Sequence, residues 1–298
     1  MSSPEISVII PTYRSWSDLG LCLAALRAQT LRGDAFEVIV VNNDPDDPPP
    51  DGFELGPALL LDERAPGSYA ARNRGLAVAR GQVFAFTDSD CVPEPEWLER
   101  IRGHFKSESE HARVGGRIRV LEDPKAEPLA QLHDRHFALR QEAYVRHGWA
   151  ATANMAARRD VFDRIGGFDA TQMSSGDSLW GRAAAAEDIP IAYLAEAVVG
   201  HPPRRTVAAI IRKTRRTSGG KVEIRKRRRN LTGLRLDYIL RTPLRLLPRV
   251  SVFRRVSETK GLTFNDGVRM VLLLHRLKWV EWAERGRLLF TSGDAKRE

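Results

Sequence analysis

Short apolar runs alternate with amphipathic segments along the first hundred residues. Four apolar, β-branched runs have the length and composition of strands buried in a sheet: 7–10, 37–41, 59–61 and 83–87. Three segments carry apolar residues at helical spacing, and the second of them begins with Ser68 as its expected N-cap: 19–29, 68–79 and 95–104. This β-α-β-α order predicts an α/β fold with a mostly parallel sheet and helices on both of its faces.

The pattern becomes mixed after residue 112. Runs 114–120 and 150–156 are strand-like, and 178–186 is helix-like. From residue 203 onward no clear strand pattern is present, and two segments have helix-compatible apolar spacing: 234–256 and 268–290. We therefore expect a domain over residues 1–202 and a helical C-terminal extension over 203–298.

The distribution of charge supports this division. Residues 1–202 carry 21 basic and 30 acidic side chains, a net charge of −9, within a chain whose total is +9. Residues 203–230 carry 12 basic side chains and one acidic one, Glu223. Such an asymmetry predicts an anionic partner, which can be nucleic acid, anionic lipid or a phosphorylated ligand.

Cysteine content and hydropathy bear on location. The two cysteines, Cys22 and Cys91, are too few for a disulfide framework. The longest aliphatic run spans 270–274, whereas a membrane-spanning helix needs about 20 apolar residues. A cytoplasmic protein is therefore expected, with peripheral association at the inner face of the membrane as a further prediction.

Two carboxylates follow the fourth predicted strand directly. In an extended chain Asp88 and Asp90 lie on the same side, about 6.5–7 Å apart. Hard oxygen ligands at the carboxyl edge of a sheet suit Mg²⁺ or Mn²⁺ held together with substrate phosphates. The alternative is a surface turn, since Asp and Ser both favour turns.

A set of short motifs, in order and spacing over residues 6–202, resembles the family 2 nucleotide-sugar glycosyltransferases with the GT-A fold. The motifs are SVIIPTY at 7–13, VIVVNND at 38–44, GSYAARNRG at 67–75, FTDSD at 86–90, GGFD at 166–169, Gly176-Asp177 with Arg182, and His201. The resemblance implies a Rossmann-like α/β/α sandwich. Its nucleotide-sugar half would cover about 1–120 and its acceptor half about 121–202.

The resemblance also implies roles for the matching residues. Asp90 and His201 would hold a divalent ion, Mn²⁺ or Mg²⁺, and Asp177 would be the general base. With one base and no covalent nucleophile, transfer would proceed by a single displacement with inversion. The positions expected to bind the donor within the motif region are Pro11, Thr12, Tyr13, Asn42, Asp44, Arg72, Asp88, Ser89, Thr152 and Asn154.

Several of these positions keep a second interpretation. Asn42 replaces the usual Asp of the family, and Gly176 stands where Glu is frequent. Thr152 and Asn154 can line a sugar pocket or serve as buried structural polar groups. Trp180 can stack on an acceptor sugar or pack in the core.

The basic C-terminal part has three interpretations. Arg215 or Arg216, beside a flexible 218–220 segment, can close over the donor pyrophosphate. The basic run can instead contact anionic lipid, with an amphipathic face formed by Trp279, Trp282, Leu288, Leu289 and Phe290. The same residues can also form a solvated face and the packing that docks the extension.

The prediction is a metal-dependent inverting glycosyltransferase. It would move a sugar from a nucleoside-diphosphate sugar, with UDP-sugars favoured, to a glycan or lipid-linked acceptor in polysaccharide, glycolipid or cell-envelope synthesis. A nucleotidyltransferase is an alternative, but residues 11–18 lack the glycines of a triphosphate loop. A nucleic-acid-binding protein is another, but 203–230 lacks interleaved aromatic residues, so no specific nucleic acid is expected.

Overall fold

The computed structural model describes residues 3–107, 110–228, 230–246 and 250–291. The chain forms two compact units. The first contains the chain up to Leu121 together with Leu139–Pro202, and the second contains Glu122–Ala138 and the chain from Pro203 onward. Residues 122–138, which the sequence pattern assigned to the first domain, thus pack with the C-terminal helices.

An eight-stranded sheet forms the centre of the first unit. Its strands, as far as the described residues show, are β1 (Ile6–Thr12), β2 (Phe36–Asn42), β3 (Leu59–Asp62), β4 (Val83–Phe86), β5 (Val92–Pro93), β6 (Arg113–Val120), β7 (Met155–Arg158) and β8 (Ile191–His201). They are arranged in the order β3-β2-β1-β4-β7-β6-β8-β5. Among these strands only β5 and β7 are antiparallel to their neighbours, so the predicted mostly parallel sheet is confirmed.

Helices account for most of the remaining described chain. They are α1 (Trp16–Arg27), α2 (Ser68–Leu76), α3 (Trp97–Lys106), α4 (Pro128–Phe137), α5 (Gln141–Val145), α6 (Arg159–Ile165), α7 (Gly176–Ala186), α8 (Val207–Arg228), α9 (Leu231–Leu246), α10 (Val250–Ser257) and α11 (Phe264–Phe290). Helix α4 and helices α8 to α11 belong to the second unit.

The sheet has an apolar core on each face, because successive side chains of a strand point to opposite sides. Ile6, Val8 and Ile10 of β1 belong to a core that includes residues of α1 and α3. Ile9 belongs to a second core with residues of α2, α6 and α7, among them Phe162. The predicted α/β/α arrangement is therefore confirmed.

Two sequence-based assignments were wrong. The strand predicted at 150–156 begins only at Met155. Met155 pairs with Phe86, the last residue of β4, so no strand partner remains for the residues before it. Those residues include Thr152–Asn154, which form a 3₁₀ turn. The 218–220 segment is not a flexible hinge but lies inside α8. Ser218, Gly219 and Gly220 are all buried, since small side chains allow neighbouring helices to approach closely.

The second unit is an all-helical body with its own cores. One apolar cluster joins α4, α8, α10 and α11 through residues such as Ala130, Ile210 and Met270. In another, Leu288 and Leu289 pack with Val222 and Leu234. No helix among the described residues is long and apolar enough to cross a membrane.

A buried ion pair ties α4 to the start of the C-terminal segment. Both carboxylate oxygens of Asp134 lie 2.9 Å from Nη1 of Arg204, and the backbone N–H of Arg204 also donates to Asp134. The Asp134 side chain is 2% exposed and that of Arg204 is 16% exposed. The next residue, Arg205, pairs with Asp123 but its side chain is 66% exposed.

These adjacent arginines give a matched test of stability. Arg204→Ala leaves a buried carboxylate without its guanidinium, so we expect a loss of about 3 kcal/mol in the free energy of unfolding. Arg205→Ala removes an exposed pair and is expected to cost less than about 1 kcal/mol. Urea denaturation followed by circular dichroism measures both values, and equal losses would contradict the assigned role of the buried pair.

Candidate active site

Chain segments that follow β1, β2, β4 and β8 meet at one edge of the sheet, where the carboxyl ends of these parallel strands lie. Residues Thr87–Asp90 follow β4, and His201 is the last residue of β8. Strand β5 pairs antiparallel with β8, with Val92 opposite Gly200. This pairing folds the chain after Asp90 back along β8, so Nε2 of His201 lies 3.9 Å from Oδ2 of Asp90.

The His201 ring is oriented as a metal-binding histidine is. Its Nδ1 lies 2.7 Å from the carbonyl oxygen of Pro202, which can only accept, so Nδ1 carries the proton. In a neutral ring Nε2 then has a lone pair, and it is Nε2 that approaches Asp90. Ligand atoms of Asp88, Asp90, Cys91 and His201 all lie within 4.8 Å of one another.

Electrostatics distinguish the members of this cluster. Burial raises the pKa of Asp90; positive charge on His201, present only when its ring is protonated, acts in the opposite direction, and the neighbouring Asp88 carboxylate adds to the increase. Burial also raises the pKa of the Cys91 thiol well above its ordinary value, so this side chain stays protonated and is a poor ligand. Asp88, Asp90 and His201 therefore form an oxygen- and nitrogen-rich set that suits a hard divalent ion.

Arg72 on α2 connects this cluster to the helix. Its side chain is 3% exposed, and Nη2 donates to Oδ1 of Asp88 at 2.5 Å. Its Nε is buried and has no hydrogen-bond partner among the described residues. The Asp88 carboxylate offsets part of the cost of burying this guanidinium.

The turn at 166–169 is held against the same helix. The Asn73 side chain donates to the carbonyl of Phe168 and accepts from its backbone N–H. A Cβ atom on Gly167 would lie 2.6 Å from Oδ1 of Asn73, so glycine is required for this close approach. The turn at 166–169 thus packs against α2, and this contact explains the glycine at position 167.

Asp177 lies in the first turn of α7, after Ser175 in a left-handed conformation with φ of 65°. Burial raises the pKa of its carboxyl group. The Ser178 N–H, the charge of Arg72 and the nearby hydroxyl of Tyr69 act in the opposite direction. Sequence reasoning did not single out Tyr69, because nothing in the motif indicates that its ring reaches the start of a distant helix.

The first-strand motif lies at the same edge. Thr12 is buried, and its Oγ1 has no partner among the described residues. Tyr13 is exposed, Pro11 is buried, and Ser89 is half-buried. Asp44 follows β2 and forms an ion pair of 2.6 Å with Arg14.

Asn42 instead stabilises its own loop. Its Nδ2 donates to the carbonyls of Asp44 and Asp47, and its Oδ1 accepts from the Asp44 N–H. The side chain is 1% exposed, and both the nitrogen and the oxygen of its amide form hydrogen bonds with the backbone. An Asp carboxylate cannot donate to two carbonyls, which gives a physical reason for the departure from the family pattern.

Asn154 and Trp180 lie in the core. Asn154 donates to the carbonyls of Arg117 and Ala197 and accepts from Nε1 of Trp97. Trp180 stacks on Phe162 with ring centroids 4.4 Å apart, and its Nε1 donates to the Gly166 carbonyl. Both residues thus match the packing alternatives, and Thr152, two residues before Asn154, is also buried.

The basic residues Arg215 and Arg216 lie on α8 in the second unit, and both are exposed. Their closure over a donor stays a prediction. Of the proposed amphipathic face, Leu288 and Leu289 are in fact core residues, whereas Trp279 and Phe290 are about half exposed. This part of the prediction was wrong because α11 packs with α8 and α9 through the surface that carries both leucines.

Comparison with known proteins agrees with the fold. Residues 7–166 match the model of Glycosyl transferase family 2. Glycosyltransferase AglE of Haloferax volcanii is 29% identical over 228 residues, which are 74% of each chain.

Two solved structures are similar in fold. Mannosyltransferase PcManGT from Pyrobaculum calidifontis, in complex with GDP-Man and Mn²⁺, has a TM-score of 0.54 at 18% identity and covers 98% of this chain and 77% of its own. S. aureus TarS 1–349 in complex with UDP-GlcNAc has a TM-score of 0.53 at 20% identity. The match covers 67% of this chain and 59% of the TarS chain.

The fold and the family match define a glycosyl-transferring enzyme with a GT-A-like architecture. The chain belongs to glycosyltransferase family 2. The predicted family, fold class and enzyme class are confirmed. Family membership also favours glycosyl transfer over the nucleotidyl transfer and nucleic-acid binding considered above.

The loop held by Asn42 can be tested by Asn42→Asp. At pH 7 two carbonyls lose their donor and face a carboxylate, so we expect a loss of about 1–3 kcal/mol in the free energy of unfolding. This carboxyl would have a raised pKa, so the loss should shrink as pH falls and the group becomes protonated. Urea denaturation at pH 7 and pH 5 measures the difference, with the exposed Asn265→Asp as control. Equal stability of Asn42→Asp and wild type at pH 7 would contradict the assignment.

Proposed function

We propose that the enzyme transfers a sugar, with inversion, from a nucleoside-diphosphate sugar to an acceptor hydroxyl in a metal-dependent reaction. One observation carries this proposal. The buried Arg72 pairs with Asp88 of the carboxylate cluster, and its charge also acts on Asp177. Through Arg72, helix α2 thus contacts the segment proposed to bind metal and diphosphate and lies near the carboxylate proposed as the base.

Asp90 and His201 are proposed to hold the divalent ion, with Asp88 beside them. The carboxylate oxygens of this cluster and the tautomer of His201 fit Mn²⁺ or Mg²⁺. When bound, such an ion stabilises negative charge on the leaving diphosphate as a Lewis acid. The Mn²⁺ present in the PcManGT complex supports this assignment.

The donor is proposed to lie along the ends of β1, β2 and β4. Thr12 Oγ1 and Arg72 Nε are buried polar atoms without partners among the described residues, and a bound donor would satisfy them. Pro11 and Tyr13 adjoin Thr12 in the chain, and Ser89 adjoins Asp88, the partner of Arg72. A UDP-sugar is favoured, in keeping with the UDP-GlcNAc complex of TarS.

Asp177 is proposed to act as the base. Its carboxylate takes the proton of the acceptor hydroxyl as that oxygen forms a bond to the anomeric carbon and the diphosphate leaves. A single displacement of this kind inverts the anomeric configuration. Its raised pKa makes Asp177 a stronger base than an ordinary carboxylate, and general-base catalysis typically contributes 10²–10⁴-fold.

The acceptor is proposed to be a glycan or a lipid-linked sugar, and the second unit is proposed to bind an anionic membrane surface. Helix α9 exposes Leu236, Ile239 and Leu240 on one face, and α10 exposes Val250 and Phe253. A groove of about 450 Å³ between α8 and α11 is lined by Arg215, Arg276 and Trp279, among others. Exposed apolar side chains together with basic ones suit anionic lipid. Location at the inner face of the membrane stays a prediction.

The catalytic proposal predicts different defects for two conservative variants. Asp90→Asn should weaken Mn²⁺-dependent UDP binding at least tenfold, because a charged ligand is lost. Asp177→Asn should leave UDP binding intact and lower kcat by 10²–10⁴-fold, because the base is lost. Calorimetry with UDP, with Mn²⁺ and with EDTA, measures the first effect, and release of UDP during transfer measures the second.

Exposed Asp51→Asn serves as the control for both measurements. Undiminished UDP binding by Asp90→Asn would remove the metal assignment. Near-normal transfer by Asp177→Asn would place the base elsewhere.

The membrane proposal predicts binding to vesicles that contain phosphatidylglycerol but not to vesicles of phosphatidylcholine alone. Leu240→Glu should weaken this binding about tenfold, because burial of a leucine is replaced by a repelled charge. Leu21→Glu changes a similarly exposed leucine on α1 and should have little effect. Vesicle sedimentation measures all three proteins, and equal sedimentation with both lipids would contradict the proposal.

A further inference from the structure

The turn at 166–169 is hydrogen-bonded to two helices of the first unit. Asn73 of α2 binds the backbone of Phe168 through both polar atoms of its amide. Its Nδ2 donates to the Phe168 carbonyl at 2.8 Å, and its Oδ1 accepts from the Phe168 N–H at 2.9 Å. On α7, Nε1 of Trp180 donates to the carbonyl of Gly166 at 2.9 Å. The backbone of the turn therefore connects α2 to α7.

The ring of Phe168 packs between the same helices and the sheet. It is 4% exposed. Its centroid lies 5.4 Å from that of Phe86, the last residue of β4, and 5.6 Å from that of Trp180. The ring of Tyr69 on α2 lies 5.7 Å away. One buried side chain thus contacts β4, α2 and α7, so the turn cannot move without disturbing the packing of all three.

These contacts lie close in the chain to both acidic centres of the proposed site. Asp88 follows Phe86 by two residues, and Asp177 precedes Trp180 by three. Both Asp177 and Trp180 belong to α7, where three residues are about one helical turn. A shift of the helix at Trp180 therefore also shifts Asp177 relative to the segment after β4.

Helix α2 is fixed to the sheet independently of the turn. A Cβ atom on Gly75 would lie 2.6 Å from Cγ2 of Ile9, so the backbone of α2 lies directly against β1. At the start of the helix, the N–H of Gly67 donates to Oδ1 of Asn43 at 2.7 Å. If the contact between Asn73 and the turn is lost, we therefore expect α2 to stay on the sheet while the turn and α7 are released.

We infer that Asn73 is a positioning residue for Asp177, acting through the turn at 166–169 and Trp180. Its amide holds the turn against α2, and the turn holds the helix that carries the base. The inference rests on the proposed function, in which Asp177 is the base. It assigns a role to a side chain that does not itself react.

The main test is Asn73→Ala. Hydrogen–deuterium exchange should rise about tenfold more over α7 than over β1, because only the far side of the contact is released. Calorimetric Mn²⁺-dependent binding of UDP should change less than about threefold, since α2 and the segment after β4 stay in place. The value of kcat per UDP-binding site, followed as UDP release during transfer, should fall about 10–100-fold, because a small displacement of a catalytic group is costly.

Ser7→Ala is a matched control for general loss of stability. Ser7 is buried near the start of β1, where its Oγ donates to Oε1 of Glu37 at 2.7 Å and accepts from the N–H of Gly81 at 2.8 Å. Its removal also costs two hydrogen bonds but does not touch the turn. We expect no preferential rise of exchange over α7 and a wild-type kcat per UDP-binding site.

Gly167→Ala disturbs the same contact from the other side. The added Cβ would lie 2.6 Å from Oδ1 of Asn73, so the turn is pushed away from α2 although the amide is still present. This variant should reproduce the local exchange and the fall in kcat of Asn73→Ala. The double variant should be no worse than the poorer single one, because both changes break one contact.

The outcomes separate this inference from the proposed function. If Asp177→Asn abolishes transfer but Asn73→Ala keeps a normal kcat per site, or loosens α7 no more than Ser7→Ala does, the inference is overturned and the base assignment stands. Loss of UDP binding in Asn73→Ala also overturns it, because the donor site would then depend on the turn. If Asp177→Asn transfers normally, both are overturned. Local loosening of α7 and a lower kcat, with UDP binding kept, support the positioning role.

Discussion

Burying a charged guanidinium is costly unless an anion or several acceptors lie beside it, and in the first unit Arg72 is buried against the carboxylate of Asp88. Its side chain is 3% exposed and pairs with Asp88. The loss of hydration on burying such a charge amounts to several kcal/mol, so the segment after β4 is strongly favoured in the position that brings Asp88 to α2. Asp177, at the start of α7, feels the same charge. The relative placement of the two acidic centres thus depends on one cation.

The short strand β5 has an effect larger than its two residues suggest. By pairing with the end of β8 it sends the chain back after Asp90 and places His201 beside that carboxylate. The Pro202 carbonyl then selects the ring tautomer. Asp90 and His201, more than 100 residues apart in the chain, are thus brought together by backbone pairing.

The second unit illustrates how a strongly basic segment can still fold. Within α8 the cations Arg215 and Arg216 are exposed, whereas Ser218, Gly219 and Gly220 are buried. Small residues supply the packing surface, and the charged side chains keep their hydration. Arg204 and Arg285 of this unit are largely buried, and they pair with Asp134 and Glu281 respectively. The basic character therefore belongs to the surface, where an anionic partner can use it.

The sequence by itself determined the strands of the parallel sheet, the family and the two acidic motifs, because hydrophobic periodicity and short contiguous motifs are local properties. It did not determine which polar residues face the site. Asn42, Asn154 and Trp180 use their polar groups within the fold. Leu288 and Leu289 are core residues rather than a membrane-facing surface. Tyr69 packs against Gly176 across more than 100 residues of chain. Only the tertiary structure decided these roles, since a hydrogen bond or a packing contact depends on what lies opposite in space, and no local pattern records that neighbour.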